Sequence, residues 1–228
     1  MSDIVVEVQE PKKNHGCLKA LGIGCLVVII LAAVGGFFAY KGFRGIVSNI
    51  AGKYTATTPV ELLNVDADED EIVDTLNRFD DFAYAFEKGE KLPVLVLTSK
   101  DINILTQKHE DLDEMAGSLY VNIKGDRIYA DVSIPLDKIR KLTDLDETLK
   151  GRYLNGSVVF QVGMAAENLV VNIDSITVDD QKVPSTFVKA INNEGIGSKL
   201  NKDKDVVEFL KKIDSIKVKD GKLYIIPK

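Results

Sequence analysis

Between Lys19 and Lys41 the chain reads ALGIGCLVVIILAAVGGFFAY, without one charged side chain. A helix rises about 1.5 Å per residue, so about twenty such residues cover roughly 30 Å, the hydrocarbon thickness of a bilayer. A helix in the wall of a small soluble domain needs a polar side, and this run has none. It therefore predicts a transmembrane helix over 19–41, preceded by a short tail, 1–18, and followed by nearly all of the chain's mass. A cleaved signal peptide has a shorter apolar core ending at small residues. Here the run ends in Gly35-Gly36-Phe37-Phe38-Ala39-Tyr40, with aromatics where an interfacial belt belongs. A lipoprotein signal is disfavoured because Cys25 precedes most of the apolar run.

Charge alone does not orient the segment: Lys12, Lys13 and Lys19 precede it, and Lys41, Arg44 and Lys53 follow it. A long carboxy-terminal domain is translocated largely regardless of its charge, which favours a cytoplasmic amino terminus. Both cysteines, Cys17 and Cys25, lie on the amino-terminal side, leaving the large domain without a thiol. That suits an extracytoplasmic setting and equally a cytosolic domain that needs no thiol.

Residues 1–53 hold six of the 29 Lys/Arg and three of the 35 Asp/Glu; the remainder has 23 basic and 32 acidic residues, a formal charge of −9. Nucleic acid requires a basic footprint, so it is excluded as a partner. Docking on anionic headgroups is disfavoured for the same reason. No Pro-rich or Gly/Ser-rich linker divides the mass, which predicts one domain over 66–228 behind a membrane-proximal connector, 42–65, broken by Gly42, Gly45, Gly52 and Pro59.

Within that domain the hydrophobic period changes. Ile72, Leu76, Phe79, Ala83 and Phe86 recur at helical spacing behind the acidic run Asp66–Glu71, predicting an amphipathic helix over 69–87 that stops at Gly89. Val94 to Leu97 predict a short strand, and Thr98 or Ser99 caps a helix carrying Ile102 and Leu105. From residue 117 the period becomes two. Leu119, Val121 and Ile123, a turn at Gly125-Asp126, then Ile128, Ala130, Val132 and Ile134 describe a hairpin. Val158 to Met164 and Leu169 to Ile173 describe a second around Ala166-Glu167-Asn168, and Ile216 to Ile225 a third around Asp220-Gly221. Helices are expected after Pro184 and around Val206, Phe209 and Leu210. The expected fold class is α+β: one transmembrane helix, then a long, curled antiparallel sheet with helices on one face.

No chemical motif emerges from the same residues. Asp66, Asp68 and Asp70 have the spacing that opens a calcium loop, but Glu71 replaces the required Gly and Asn77 the bidentate Glu. They read as helix-start acids. His109 is the one histidine beyond the tail, has no zinc-type companions, and is expected at the surface. Ser99, Ser118, Ser133 and Ser157 lack a GxSxG elbow and a nearby His. The pairs Asp80/Asp81 and Asp179/Asp180 read as solvated faces, and Asn155-Gly156-Ser157, though a glycosylation sequon, as a turn at a strand start. No catalytic residue, metal or cofactor is expected. The apolar face of the hairpins has two readings: a packed core, or a groove for an acyl chain lined by Leu119, Phe160, Val162 and Val171.

Three segments in order, LTSKDINILTQ, VDDQKVPSTFVKAI and IDSIKVKDGKLYIIPK, resemble the YpmS-like group of bacterial single-pass envelope proteins of unknown function. Asp101-Ile102-Asn103 stands where that group has a Leu-Asn or Ile-Asn pair on an early helix, and Val183-Pro184 where a strand leads into a helix. The resemblance covers roughly 92–228 and implies an extracytoplasmic domain, with no activity attached. A more distant likeness, at fold level, is to tubular lipid-binding domains. The expected function is that of a membrane-anchored, non-enzymatic envelope protein in the cell membrane, binding a lipid or other hydrophobic ligand beside it. The alternative is a scaffolding subunit that recruits envelope protein partners through strand edges or helix faces.

Overall fold

The computed structural model describes residues 55–137, 150–194 and 200–228. One antiparallel sheet contains β1 (Leu95–Thr98), β2 (Leu119–Lys124), β3 (Arg127–Pro135), β4 (Tyr153–Ala165), β5 (Asn168–Val178), β6 (Gln181–Lys182), β7 (Ile213–Lys219) and β8 (Lys222–Pro227). The described α-helices are α1 (Glu69–Lys88), α2 (Ser99–Lys108), α3 (Ser185–Glu194) and α4 (Lys204–Lys212), with a 3-10 helix at Glu110–Met115.

Period-two sequence becomes rows across the strands. Ile123, Ile128, Phe160 and Ile173 lie opposite one another on β2 to β5, as do Val121, Ala130, Val158 and Ile176. A bulge between Val159 and Phe160 lets β5 place both Ile173 and Ile176 inward. The other face carries the row Tyr120, Asp131, Ser157 and Thr177.

The long β4 is the spine. Its β5 edge is paired along most of its length, so β3 and β7 share the opposite edge, β3 from Tyr153 to Phe160 and β7 beyond it at Gly163, opposite Lys217. The two hairpins therefore meet turn to turn, where the Gly221 N–H donates to the Gly125 carbonyl at 3.0 Å. The turns at Ala166-Glu167, Asp179-Asp180 and Asp220-Gly221 each place two residues at positive φ, the conformation whose twist matches the strands.

Unpaired strand edges invite further strands. Here side chains stopper them. The Asn103 amide of α2 bonds both the N–H and the carbonyl of Val121 on β2 (2.8 and 2.7 Å), and Ser99 Oγ accepts from the Ile123 N–H. Asn192 treats Ile173 of β5 in the same way (2.9 and 2.8 Å), and Asn201 treats Leu169 (2.9 and 3.1 Å). Arg78 donates to the Val96 carbonyl on β1.

Helix boundaries follow their caps. Asp68 accepts from the Glu71 N–H and Glu71 from the Asp68 N–H, a capping box, while Gly89 closes α1 at φ 67°. The buried side of α1, with Phe79, Phe82 and Phe86, meets Phe209 of α4 at centroid distances of 6.4 Å from Phe82 and 5.6 Å from Phe86. Helix residues and the inner sheet face form one continuous core.

The expected architecture, led by a transmembrane helix, is corrected for the described residues. None of their helices is long and apolar enough to cross a membrane, and the fold they form is a mixed α/β arrangement of helices with an eight-stranded antiparallel sheet. The longest, α1, spans twenty residues but has a charged outer side. Residues 1–54, which include the 19–41 run and the tail, lie outside the described residues. The stretch expected as a connector is laid against the sheet from Thr55 onward. Ala56 bridges Tyr153, the Val60 N–H reaches Ser133 and Asn155, and Gln107 of α2 clasps Val65 and Leu63.

Candidate functional site

Leu119, Phe160, Val162 and Val171 lie together on the inner sheet face, Val162 opposite Val171 in register. They are packed in the core, with exposures of 0, 0, 8 and 7% respectively. None of them lines either of the two clefts described below.

The larger cleft, about 440 Å³, opens between α1 and the 3-10 helix. Its geometry starts at the end of α2, where His109 leaves the helix in an extended conformation after its N–H has bonded the Leu105 carbonyl. The chain then turns at once, the Leu112 N–H returning to the His109 carbonyl at 3.0 Å. This tucks the imidazole under the turn. Nδ1 accepts the Asp111 N–H at 3.2 Å, so the ring proton resides on Nε2, 3.1 Å from Asp80 Oδ1 on α1. Phe79 holds the ring edge-on at 5.3 Å. His109 is thus buried, 7% exposed, contrary to the surface position expected of it. A helix end has no periodicity from which burial could be read.

Leu76, Phe79 and Ala83 contribute the apolar lining of this cleft, and Tyr84 stands on its rim, 55% exposed. Asp80, Glu87, Glu110 and Asp111 line it with carboxylates, against one cation, Lys108. The Asp80–His109 pair has the form of a base and its orienting group, but among the described residues no Ser, Thr or Cys lines the cleft for it to activate. Its evident work is to join α1 to the 3-10 turn. The lining was missed in sequence, although Leu76, Asp80, Ala83 and Glu87 recur at helical spacing as a second stripe beside the core stripe.

The smaller cleft, about 320 Å³, lies on the outer sheet face beneath Val60–Leu63 and above Tyr120, Asp131 and Thr177. Asp131 is exposed as a residue, yet the strands beside it desolvate its carboxyl enough to raise its pKa, an effect Lys124 partly opposes. Asn155 at its border is 5% exposed, with its amide donating to the Thr58 carbonyl. It lies within β4 and not at a turn, so the sequon has no free amide for a glycan. The neighbouring Gly156 has no room for a side chain: a Cβ there would lie 2.4 Å from the Thr177 carbonyl oxygen.

Other residues singled out in the sequence have structural work. Asp68 is the α1 cap, Ser99 and Ser133 accept backbone N–H groups, and Asp179-Asp180 form the β5–β6 turn. Among the described residues no group of three His, Cys, Asp or Glu side chains is placed to hold a metal ion. Among the described residues Asp101 is the most heavily bonded carboxylate. Burial alone would raise its pKa, but donors from Thr98, Thr75 and Arg78 outweigh that and hold it below the ordinary carboxylate value. It ties α1, β1 and α2 together.

No protein-family model, curated protein or solved structure matches the chain.

Proposed function

We propose that this protein is a membrane-attached, non-enzymatic binding domain that recruits a protein partner beside the cell membrane, through the cleft between α1 and the 3-10 helix. The observation that carries this reading is where open surface remains. The residues of the candidate acyl groove are buried in the core cluster, and three strand edges are stoppered by Asn103, Asn192, Asn201 and Arg78. Recruitment by strand addition is thereby opposed. The α1 cleft sets Leu76, Phe79 and Ala83 and an exposed tyrosine within a carboxylate rim, and an exposed aromatic of this kind is the residue type enriched at contact surfaces. The uncharged run between Lys19 and Lys41 supports membrane attachment. The resemblance to the YpmS-like group supports a cytoplasmic amino terminus with the domain outside.

A photo-reactive amino acid at Tyr84 of the full-length protein in native membranes tests the reading, with the same group at exposed Lys189 on α3 as control. One reproducible, identified protein crosslinked from position 84 and not from 189 is expected. Identical background from both positions would overturn it. Native mass spectrometry of the detergent-solubilised full chain tests the lipid reading: a stoichiometric retained lipid would replace the proposal, and its absence is expected.

A further inference from the structure

We infer that the occupant of the α1 cleft is a basic amphipathic peptide segment of the partner, its apolar side chains against Leu76 and Ala83 and its cations on the rim. The inference rests on the reading above and adds the chemistry of the guest. Among the described residues four carboxylates line the cleft, two from α1 (Asp80 and Glu87) and two from the 3-10 helix (Glu110 and Asp111), so they face one opening from two elements. Asp80 gives one oxygen to the His109 ring and its side chain remains 61% exposed. Glu87, Glu110 and Asp111 make no ion pair among the described residues. The nearby cations are Lys108 in the lining and Lys88, which lies over the Tyr84 ring at 5.5 Å. An unpaired acidic rim raises the local concentration of cations and penalises anions.

The apolar lining decides between cationic guests. A simple metal ion has no use for Leu76, Ala83 and Tyr84, and among the described residues no three-ligand cluster exists there. A fatty acyl chain would gain from the apolar lining but would have to bring its length past four ionised groups without compensation. A Lys- or Arg-bearing segment uses both features: its aliphatic parts cover the apolar residues, its charged heads meet the carboxylates, and Tyr84 offers a ring face to a cation. Anionic membrane surface is repelled by the same rim, so the cleft is left to a protein guest.

The test uses the full-length protein in phosphatidylcholine nanodiscs and two fluorescein-labelled twelve-residue peptides of identical pattern, one Lys/Leu and one Glu/Leu, with empty nanodiscs as blank. The Lys/Leu peptide is expected to bind, weakening about tenfold between 50 and 300 mM salt, while the Glu/Leu peptide does not. The double variant Glu87→Lys/Glu110→Lys, at two exposed positions outside the core, is expected to lose at least about tenfold in affinity with an unchanged melting temperature. Tyr84→Ala is expected to weaken binding several-fold without changing the salt slope. Equal binding of the two peptides, or full affinity in the charge-reversed variant, would overturn the inference. If the Tyr84 crosslink to a partner survives that charge reversal undiminished, the guest is not basic and the recruitment reading stands. If position 84 yields no partner at all, the recruitment reading itself fails.

Discussion

Replacing Asp101 by Asn keeps the side chain's shape and removes its charge, which isolates what the carboxylate does at the junction of α1, β1 and α2. Oδ2 accepts from the Thr98 N–H and hydroxyl at 2.7 and 2.6 Å, and Oδ1 from the Thr75 hydroxyl and Arg78 Nη2 at 2.9 and 2.6 Å. An amide offers one acceptor oxygen and two further donors. The hydroxyls can rotate to accept; Arg78 and the Thr98 N–H cannot. Whichever way the Asn is turned, one of those two donors loses its acceptor, and the other bonds weaken because the acceptor is neutral. At about 1.5–3 kcal/mol for the lost charge-assisted bond plus a fraction for the rest, the expected cost is about 3 kcal/mol. For a domain of this size that is a fall of about 6–12 °C in melting temperature. The pH dependence is a second constraint. Because the folded-state pKa of Asp101 is lowered, its contribution is fully present above the ordinary carboxylate range and is lost as pH falls through the folded value. Urea unfolding of the solubilised wild type and Asp101→Asn, followed by circular dichroism from pH 7 down to pH 2.5, should show a gap that closes at the acid end. A gap below about 1 kcal/mol at pH 7, or one that stays constant to pH 2.5, would refute the assignment of Asp101 as the charged keystone of this junction.

Asn103→Ala removes both partners of Val121 on a buried edge, and each orphaned group costs about 1–3 kcal/mol, so a loss of about 3 kcal/mol is expected. Amide hydrogen exchange at Val121 should accelerate more than at Val158 in the neighbouring core row. Phe209→Ala empties a site that is 0% exposed between Phe82 and Phe86, for an expected loss of about 3–5 kcal/mol in denaturant unfolding. Gly156→Ala forces β4 and β5 apart at Thr177 and should cost about 1–3 kcal/mol by the same measurement. Asp131→Asn goes the other way. A raised folded-state pKa means that the ionised carboxylate opposes folding above that pKa, so the variant should be slightly more stable at pH 7, by less than about 1 kcal/mol at this solvent-screened position, and equal to wild type below pH 3.

Much of the fold was legible wherever the physics is local. The start of α1 follows from Asp68 and Glu71 three residues apart, its end from Gly89, and the start of α2 from Thr98, because caps are satisfied within one turn of chain. The three hairpins follow from alternation plus turn residues. The β6 strand escaped because two residues carry no period, and the 3-10 helix because it is a single continuation of α2 past His109. The candidate site was not legible, although one of its stripes was present on α1. Its second wall is a turn whose position depends on where the His109 ring is buried.

The sequence by itself determined the inward alternation of the long hairpin strands, where most elements begin and end, and that an uncharged run long enough for a bilayer precedes them. These are matters of period, cap and length, each settled within a few residues. On α1 the sequence found Phe79 and Phe86 but not Thr75, Phe82 and Ala85, which complete the buried side. The tertiary structure alone decided that Leu119, Phe160, Val162 and Val171 are buried together, that His109 is buried against Asp80, that Asn155 lies inside a strand, and that carboxylates from α1 and the 3-10 helix line one cleft. Each rests on partners far apart in the chain: Asn103 with Val121 across 18 positions, Val60 with Asn155 across 95, Lys212 with Phe86 across 126. Local spacing holds no record of such pairings, because they arise only when helices and sheet pack into one core.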